Sequence, residues 1–106
     1  MKRGEAWWVR FGPSFGGEIR KRRPAVVVTN DVAISHLNRV QVVPLTTQVS
    51  RVYPGEALVV INDRPHKAMA DQLTTVSKSR IGAFFGKLSD GDIENLDAAV
   101  RLHLGL

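Results

Sequence analysis

Four cationic side chains, Arg20, Lys21, Arg22 and Arg23, stand in a row directly before Pro24 and a run of valines. A solvated loop there enters a buried strand. A guanidinium fixed at that junction can hold a phosphate through two parallel hydrogen bonds and stabilise charge that builds on a pentacoordinate phosphorus. Alternate strand residues face opposite ways, so Arg23, next to Pro24, is the member the strand holds in place. Arg20, Lys21 and Arg22 are freer. Exposed charges of a solvated loop usually contribute little, and Lys21 and Arg22 read as such on their residue types alone.

The segment Pro-Leu-Thr-Thr-Gln, residues 44–48, ends another strand-like stretch. Its two hydroxyls and one amide can bind phosphate oxygens or base edges. Threonine is also an ordinary strand residue, so the pair does not by itself mark a site. His36, His66 and His103 fall in a turn, a loop and a terminal helix. Their spacing neither pairs them for acid–base cleavage of RNA nor forms a metal motif, and residue types alone leave them out of the site. Glu18 precedes Arg23 in the glycine-rich loop and can orient it. Asp71 and Gln72 fall in the middle of a strand-like stretch, where a carboxylate is unusual. No Gly-Lys-Ser/Thr follows the glycines of residues 12–17, so nothing matches a phosphate-cradling loop, a dinucleotide site or a metal cluster.

The elements that must position these groups are short. Residues 5–11 (EAWWVRF) read as a strand with Trp7 and Trp8 on opposite faces. Residues 12–23 are a glycine-rich, charged loop. Residues 24–30 (PAVVVTN) read as a strand buried on both faces, opened by Pro24. Residues 31–38 form a short helix or turn, and 39–47 a strand in which Pro44 marks a break or an edge. Residues 57–63 are a strand, Arg64 to His66 a turn, 67–76 a strand and 81–88 a strand bent or bulged at its glycines. From residue 90 the pattern changes to a helix. Ser89 is its N-cap, Asp90 and Asp92 lie in its first turn, and Ile93, Leu96, Val100 and Leu104 share one face. Arg101 and His103 sit in its last turn, and Gly105 ends it. Strands with turn punctuation and one closing helix predict a mainly β (α+β) fold: a small antiparallel barrel, or a strongly bent sheet, with the helix packed on it.

The chain has 106 residues, with 15 Lys and Arg against 10 Asp and Glu, a formal charge of +5. That length predicts one domain, residues 1–106, with one modest core. An apolar fraction of 43% with 24% charged residues is that of a folded protein. The positive balance favours an anionic partner such as nucleic acid or an acidic protein. With no cysteine there is no disulfide and no thiolate metal site, which fits a cytoplasmic location. Residues 1–12 lack the apolar run of a signal peptide, and no stretch nears the about 18 apolar residues of a membrane span. Trp7, Trp8, Phe84 and Phe85 are many aromatics for so small a core, and point to a face covered by a second copy.

In order along the chain, KRGEAWWVRFGP, GGEIRKRRPAVVVTND, VQVVPLTTQ and ADQLTTVSKSRIGAFFGKLS resemble the MazF/PemK family of toxins from toxin–antitoxin modules. The resemblance covers almost the whole chain. It implies an SH3-like antiparallel barrel, a homodimer, and metal-independent cleavage of single-stranded RNA without a cofactor. Attack by the 2′-hydroxyl then leaves a 2′,3′-cyclic phosphate and a 5′-hydroxyl. It also implies an acidic, MazE-like antitoxin that wraps the dimer. By motif, the catalytic arginine falls on Arg23 and the catalytic threonine on Thr46. The acidic loop residue falls on Glu18, and the RNA contacts on Asn30 and Gln72, joined by Arg20, Lys21, Arg22, Thr47 and Gln48. Arginine stays protonated in ordinary settings. Arg23 is therefore assigned charge stabilisation and help in protonating the leaving oxygen, and the general base stays unassigned. The competing expectations are a CcdB-like toxin that binds DNA gyrase without catalysis and an inactive binding module on the same fold. Absence of a C-terminal tryptophan weighs against the first, and the presence of both Arg23 and Thr46 against the second.

Overall fold

Ala25, Val26 and Val27 are fully buried, as a strand covered on both faces requires. In the computed structural model, which describes residues 1–12 and 21–106, they belong to strand β2 (Lys21–Val27). Antiparallel neighbours flank it: β1 (Glu5–Phe11) on one side and β3 (Arg39–Thr46) on the other. Strand β4 (Glu56–Ile61) forms a hairpin with β5 (Arg64–Met69), β6 (Thr74–Ser77) pairs with β3, and β7 (Ile81–Lys87) pairs with β1. The resulting order is β4-β5-β3-β2-β1-β7, with β6 also on β3. Helix α1 (Asp31–His36) bridges β2 and β3, and helix α2 (Asp90–Leu104) closes the described chain.

The mainly β architecture with a C-terminal helix is the one expected. Among the described residues no ladder joins the edge strands β4 and β7, so the sheet is coiled but open and "barrel" describes it loosely. A side chain partly spans the gap: Asn62 Nδ2 donates to the Phe85 carbonyl at 3.0 Å. Gly86 permits this approach, because a Cβ there would stand 2.5 Å from Ile61 Cγ2. As expected of a glycine there, the β1–β7 register shifts beside Gly86, between the pairs Ala6–Gly86 and Trp7–Phe84, and the same residue admits the tip of the β4–β5 hairpin.

Burial divides the interior into two clusters. Val26, Val43, Leu45, Val59, Ile61 and Leu88 pack with Leu96 and Ala99 of α2. Val9, Val27, Ile34, Val40 and Val76 form the second, with Trp7 against it. Helix α2 has the expected punctuation. The Ser89 hydroxyl accepts from the Asp92 N–H at 3.1 Å, and Gly105 takes the left-handed conformation at φ 72°. Its apolar face holds Leu96 in the core but leaves Leu104 exposed. Asp92 does more than meet the helix dipole. Its Oδ2 accepts the Val60 N–H at 2.9 Å, which occupies a main-chain donor of edge strand β4.

Several sequence expectations change. Pro24 lies inside β2, opposite Trp8, and not at its start. Pairing with β3 begins only at Ala25, so Pro24 does open the portion flanked on both sides. Pro44 neither ends nor edges β3. It falls where the partner strand changes, between Val42, which pairs with Thr74 of β6, and Leu45, which pairs with Ala68 of β5. A proline, which cannot donate to a ladder, is tolerated at such a gap. Arg64 to His66 are not a turn; they begin β5. The turn is Asn62-Asp63, with φ of 54° and 60°, the positive pair that a two-residue hairpin of type I′ needs. Asp71 and Gln72 are not mid-strand. The stretch 67–76 breaks at a 3₁₀ turn, Ala70–Gln72, which separates β5 from β6.

Candidate active site

Trp8 and Pro24 are directly opposed across β1 and β2. Two residues along the same face of β2, Arg22 therefore lies diagonal to Trp8, and its guanidinium sits 4.8 Å from the indole centroid. The sequence suggested a free loop charge; the strand begins at Lys21, and Arg22 is laid over an aromatic ring. Lys21 itself has φ 65°, a left-handed turn into the strand that is costly for a side-chain-bearing residue.

Arg23, Thr46 and Thr47 come together with Arg22 around a cavity of about 500 Å³. Trp8, Leu45, Ile61 and Phe85 give it an apolar floor, and Asn62, Arg64 and His66 complete the polar side. Arg23 is half-buried, and its Nε is sealed from solvent with no hydrogen-bond partner among the described residues. Leaving a buried donor unmet costs about 1–3 kcal/mol, more where the group is charged. Thr46 Oγ1 accepts from the Gln48 N–H at 3.2 Å. That bond uses a lone pair and leaves the hydroxyl proton to donate. By alternation along β2 and β3, Arg23 and Thr46 point to the face opposite Arg22 and Leu45, so the cation and the free hydroxyl share one side of the sheet.

The aromatic floor runs continuously. Trp8 meets Phe85 edge to face at 5.5 Å, and Phe85 meets His66 edge to face at 5.6 Å. His66 is buried, and its Nδ1 lies 3.0 Å from the Arg64 carbonyl, which can only accept. Nδ1 therefore carries the proton, and Nε2 the lone pair.

Other expected site residues lie elsewhere. Asn30 caps α1, its Oδ1 accepting from the Ala33 N–H at 2.9 Å. Gln48 follows β3 on the exposed side of the Thr46 turn, and Gln72 ends the 3₁₀ turn after β5; neither lines the cavity. Lys21 is exposed at the start of β2. Glu18 and Arg20 lie outside the described residues. Among the described residues no group of three or more His, Cys, Asp or Glu could hold a metal ion.

Sequence reasoning missed Trp8, Asn62, Arg64, His66 and Phe85 as cavity residues. Asn62-Asp63 carried a signal, since that pair suits a type I′ turn; reading it correctly makes Arg64 and His66 strand residues of one face. Nothing in the sequence indicated that this strand pairs with the end of β3, Thr46 opposite Lys67.

A coiled antiparallel sheet, a C-terminal helical cap and a cavity rich in arginine define a small mainly β protein with a cationic cleft. The chain belongs to the family of PemK-like, MazF-like toxins of type II toxin–antitoxin systems, whose model matches residues 2–104. It is 36% identical over 115 residues to "Endoribonuclease MazF9" of Mycobacterium tuberculosis, covering 100% of this chain and 98% of that protein. It is 29% identical over 103 residues to "Endoribonuclease toxin MazF" of Escherichia coli, covering 96% of this chain and 92% of the relative. Among solved structures, MazF of Deinococcus radiodurans superposes with a TM-score of 0.86 at 21% identity, covering 100% and 97% of the two chains. A mycobacterial endoribonuclease in complex with its cognate antitoxin superposes at 0.84, with 23% identity and coverage of 100% and 96%. These structural likenesses establish the fold. No helix of the described residues is long and apolar enough to cross a membrane.

Proposed function

We propose that this chain is a metal-independent endoribonuclease toxin that cuts single-stranded RNA with Arg23 and Thr46. The observation that carries the reading is the buried Arg23 Nε, unpartnered among the described residues, on the sheet face that the β2–β3 register also gives to Thr46, whose hydroxyl proton is free to donate. In this reading the scissile phosphate binds on the sheet face that carries Arg23 and Thr46. Arg23 meets the negative charge that grows as the 2′-hydroxyl attacks, and Thr46 donates to a non-bridging oxygen. Products are a 2′,3′-cyclic phosphate and a 5′-hydroxyl. Preorganised donors of this type lower the barrier because they need not reorient as charge develops.

Arg22, Thr47 and Arg64 border the adjoining cavity and hold the neighbouring backbone, and Lys21 and Gln48 extend the contact surface outward. Glu18, Arg20, Asn30 and Gln72 rest on the family resemblance alone; on this reading they meet nucleotides flanking the scissile one. The named relatives are endoribonucleases, and one solved neighbour is bound to its antitoxin. By analogy the partner of this chain is an acidic antitoxin, and the site of action is the cytoplasm. Phe84, half exposed and stacked edge to face on Trp7 at 5.3 Å, supports a homodimer that covers this face. The gyrase-binding alternative is not favoured, since the matched family is the PemK/MazF one.

The test is incubation with a long defined RNA in EDTA, with analysis of the product ends. Cyclic phosphate and 5′-hydroxyl ends, lost in Arg23→Ala, are expected. Cleavage that requires added metal, or that yields 5′-phosphates, overturns the proposal.

A further inference from the structure

Lys67 is a charged residue to which neither the sequence motifs nor the family resemblance gives a role, yet it stands opposite Thr46 across β3 and β5. Directly paired residues share a face of the sheet. The residues on either side of Lys67 turn the other way, Ala68 into the core and His66 to the cavity. Continuing the β2–β3 register two residues beyond Ala25–Pro44 brings Arg23 opposite Thr46. Arg23, Thr46 and Lys67 thus form one cross-strand row on one face. The lysine is not spread into solvent. Its side chain is 13% exposed, and its Nζ lies 3.2 Å from Oε2 of Glu56, a side chain 12% exposed. Nζ also donates to the Arg51 carbonyl at 3.1 Å, and Glu56 Oε1 accepts the Tyr53 N–H at 2.8 Å. Both bonds fall on residues 47–55, which carry no helix or strand and run from Thr46 to β4. At its other end the same segment turns back on Thr46, whose Oγ1 accepts from the Gln48 N–H at 3.2 Å. The ion pair and the threonine therefore grip one short segment from its two ends. Taking an ammonium and a carboxylate largely out of water is costly, and such a pair is weak evidence for stability alone.

We propose that Lys67, held by Glu56, is a positioning residue for Thr46, a proposal that rests on the nuclease reading. Lys67 anchors the segment at Arg51, and Glu56 anchors it at Tyr53. The anchored segment fixes the Gln48 N–H, and that N–H occupies a lone pair of Thr46 Oγ1. The hydroxyl rotor is thereby set, with its proton left to donate to a non-bridging phosphate oxygen. An ammonium has three donors. Lys67 directs its donors at Glu56 and the Arg51 carbonyl, so it acts through the protein and not on the RNA.

The deciding experiment is single-turnover cleavage of one defined RNA in EDTA, with binding of a non-cleavable 2′-deoxy strand measured alongside by anisotropy. Lys67→Met is expected to slow cleavage about 10- to 100-fold, since a small misplacement of a reacting group suffices, and to leave binding within about twofold of wild type. Lys67→Arg, which keeps a donor for both partners, is expected to retain most of the rate. In a Thr46→Ala background Lys67→Met is expected to add no more than about twofold, because residues that act as one unit are not additive. Slowing as large in that background as in wild type shows a general loss of structure and refutes the positioning role. A Lys67→Met rate within about threefold of wild type refutes it as well, and leaves the nuclease reading in place. Weaker binding with a shallower salt slope makes Lys67 a phosphate contact and also refutes it. Wild type that cleaves no RNA under any condition refutes the nuclease reading instead. Where Lys67→Met fails to fold by circular dichroism, Lys67→Met combined with Glu56→Gln takes its place on the same criteria. That pair of changes strands no carboxylate and keeps an acceptor for the Tyr53 N–H.

Discussion

Substitution Arg23→Met separates what this side chain does for function from what it does for stability, and the two effects have opposite signs. Methionine keeps an unbranched stem of similar reach and removes the guanidinium. In the folded chain Arg23 Nε is buried and unpaired. Removing an unmet buried donor regains about 1–3 kcal/mol in principle. Arg23 is only half-buried, however, and part of it meets solvent. Solvent screening of that part reduces the expected gain to about 1 kcal/mol. For a chain of this size that is a rise in Tm of about 4 °C or slightly more. Function runs the other way. Loss of one preorganised donor to a developing oxyanion costs about 100- to 1000-fold in rate, or about 2.7–4 kcal/mol of transition-state stabilisation. Thermal unfolding by circular dichroism and single-turnover cleavage of one defined RNA measure both quantities on the same preparation. A variant that melts several degrees below wild type shows the guanidinium to be structural. One that cleaves at the wild-type rate removes Arg23 from the mechanism. Either result defeats the reasoning that couples the orphan donor to phosphate.

Three other expectations follow from the geometry. Gly86→Ala places a Cβ 2.5 Å from Ile61 Cγ2, so chemical denaturation is expected to show a loss of about 1–3 kcal/mol. Cleavage should also slow, because the Asn62–Phe85 contact holds the hairpin tip at the cavity. Asp63→Gly relieves a positive φ of 60° in the β4–β5 turn and is expected to raise stability by about 0.5 kcal/mol with activity unchanged, checked by the denaturation midpoint and the cleavage rate. Arg64→Ala removes one cation from the cavity edge. Binding of a non-cleavable 2′-deoxy strand is then expected to show a salt slope shallower by about 0.7 in log–log form, measured by anisotropy titration.

Elements whose cause is local were legible along the chain. The buried β2 run, the alternation of Trp7 and Trp8, and the Ser89-to-Gly105 helix each follow from periodicity or capping chemistry within a few residues. Arg23 was legible for the same reason: a charge forced against a proline at the entry to a buried strand has little freedom. The misread places, Pro44, Arg64 to His66 and Ala70 to Gln72, are those where a strand changes partner or a turn shifts by two residues. Such changes depend on pairing between segments far apart in sequence, which local propensity does not encode.

By itself the sequence determined a basic, cysteine-free, mainly β chain closed by a helix, with an arginine and a threonine at strand ends and motifs of the MazF/PemK kind. Only the tertiary structure decided that those two residues share a face of the sheet, and that Arg22 lies on Trp8 in a cavity that His66 also lines. Coiling of the sheet is the physical reason. It carries the tip of the β4–β5 hairpin toward β7, and so gathers onto one concave surface residues from β1, β2, β3, β5 and β7 that no spacing along the chain relates.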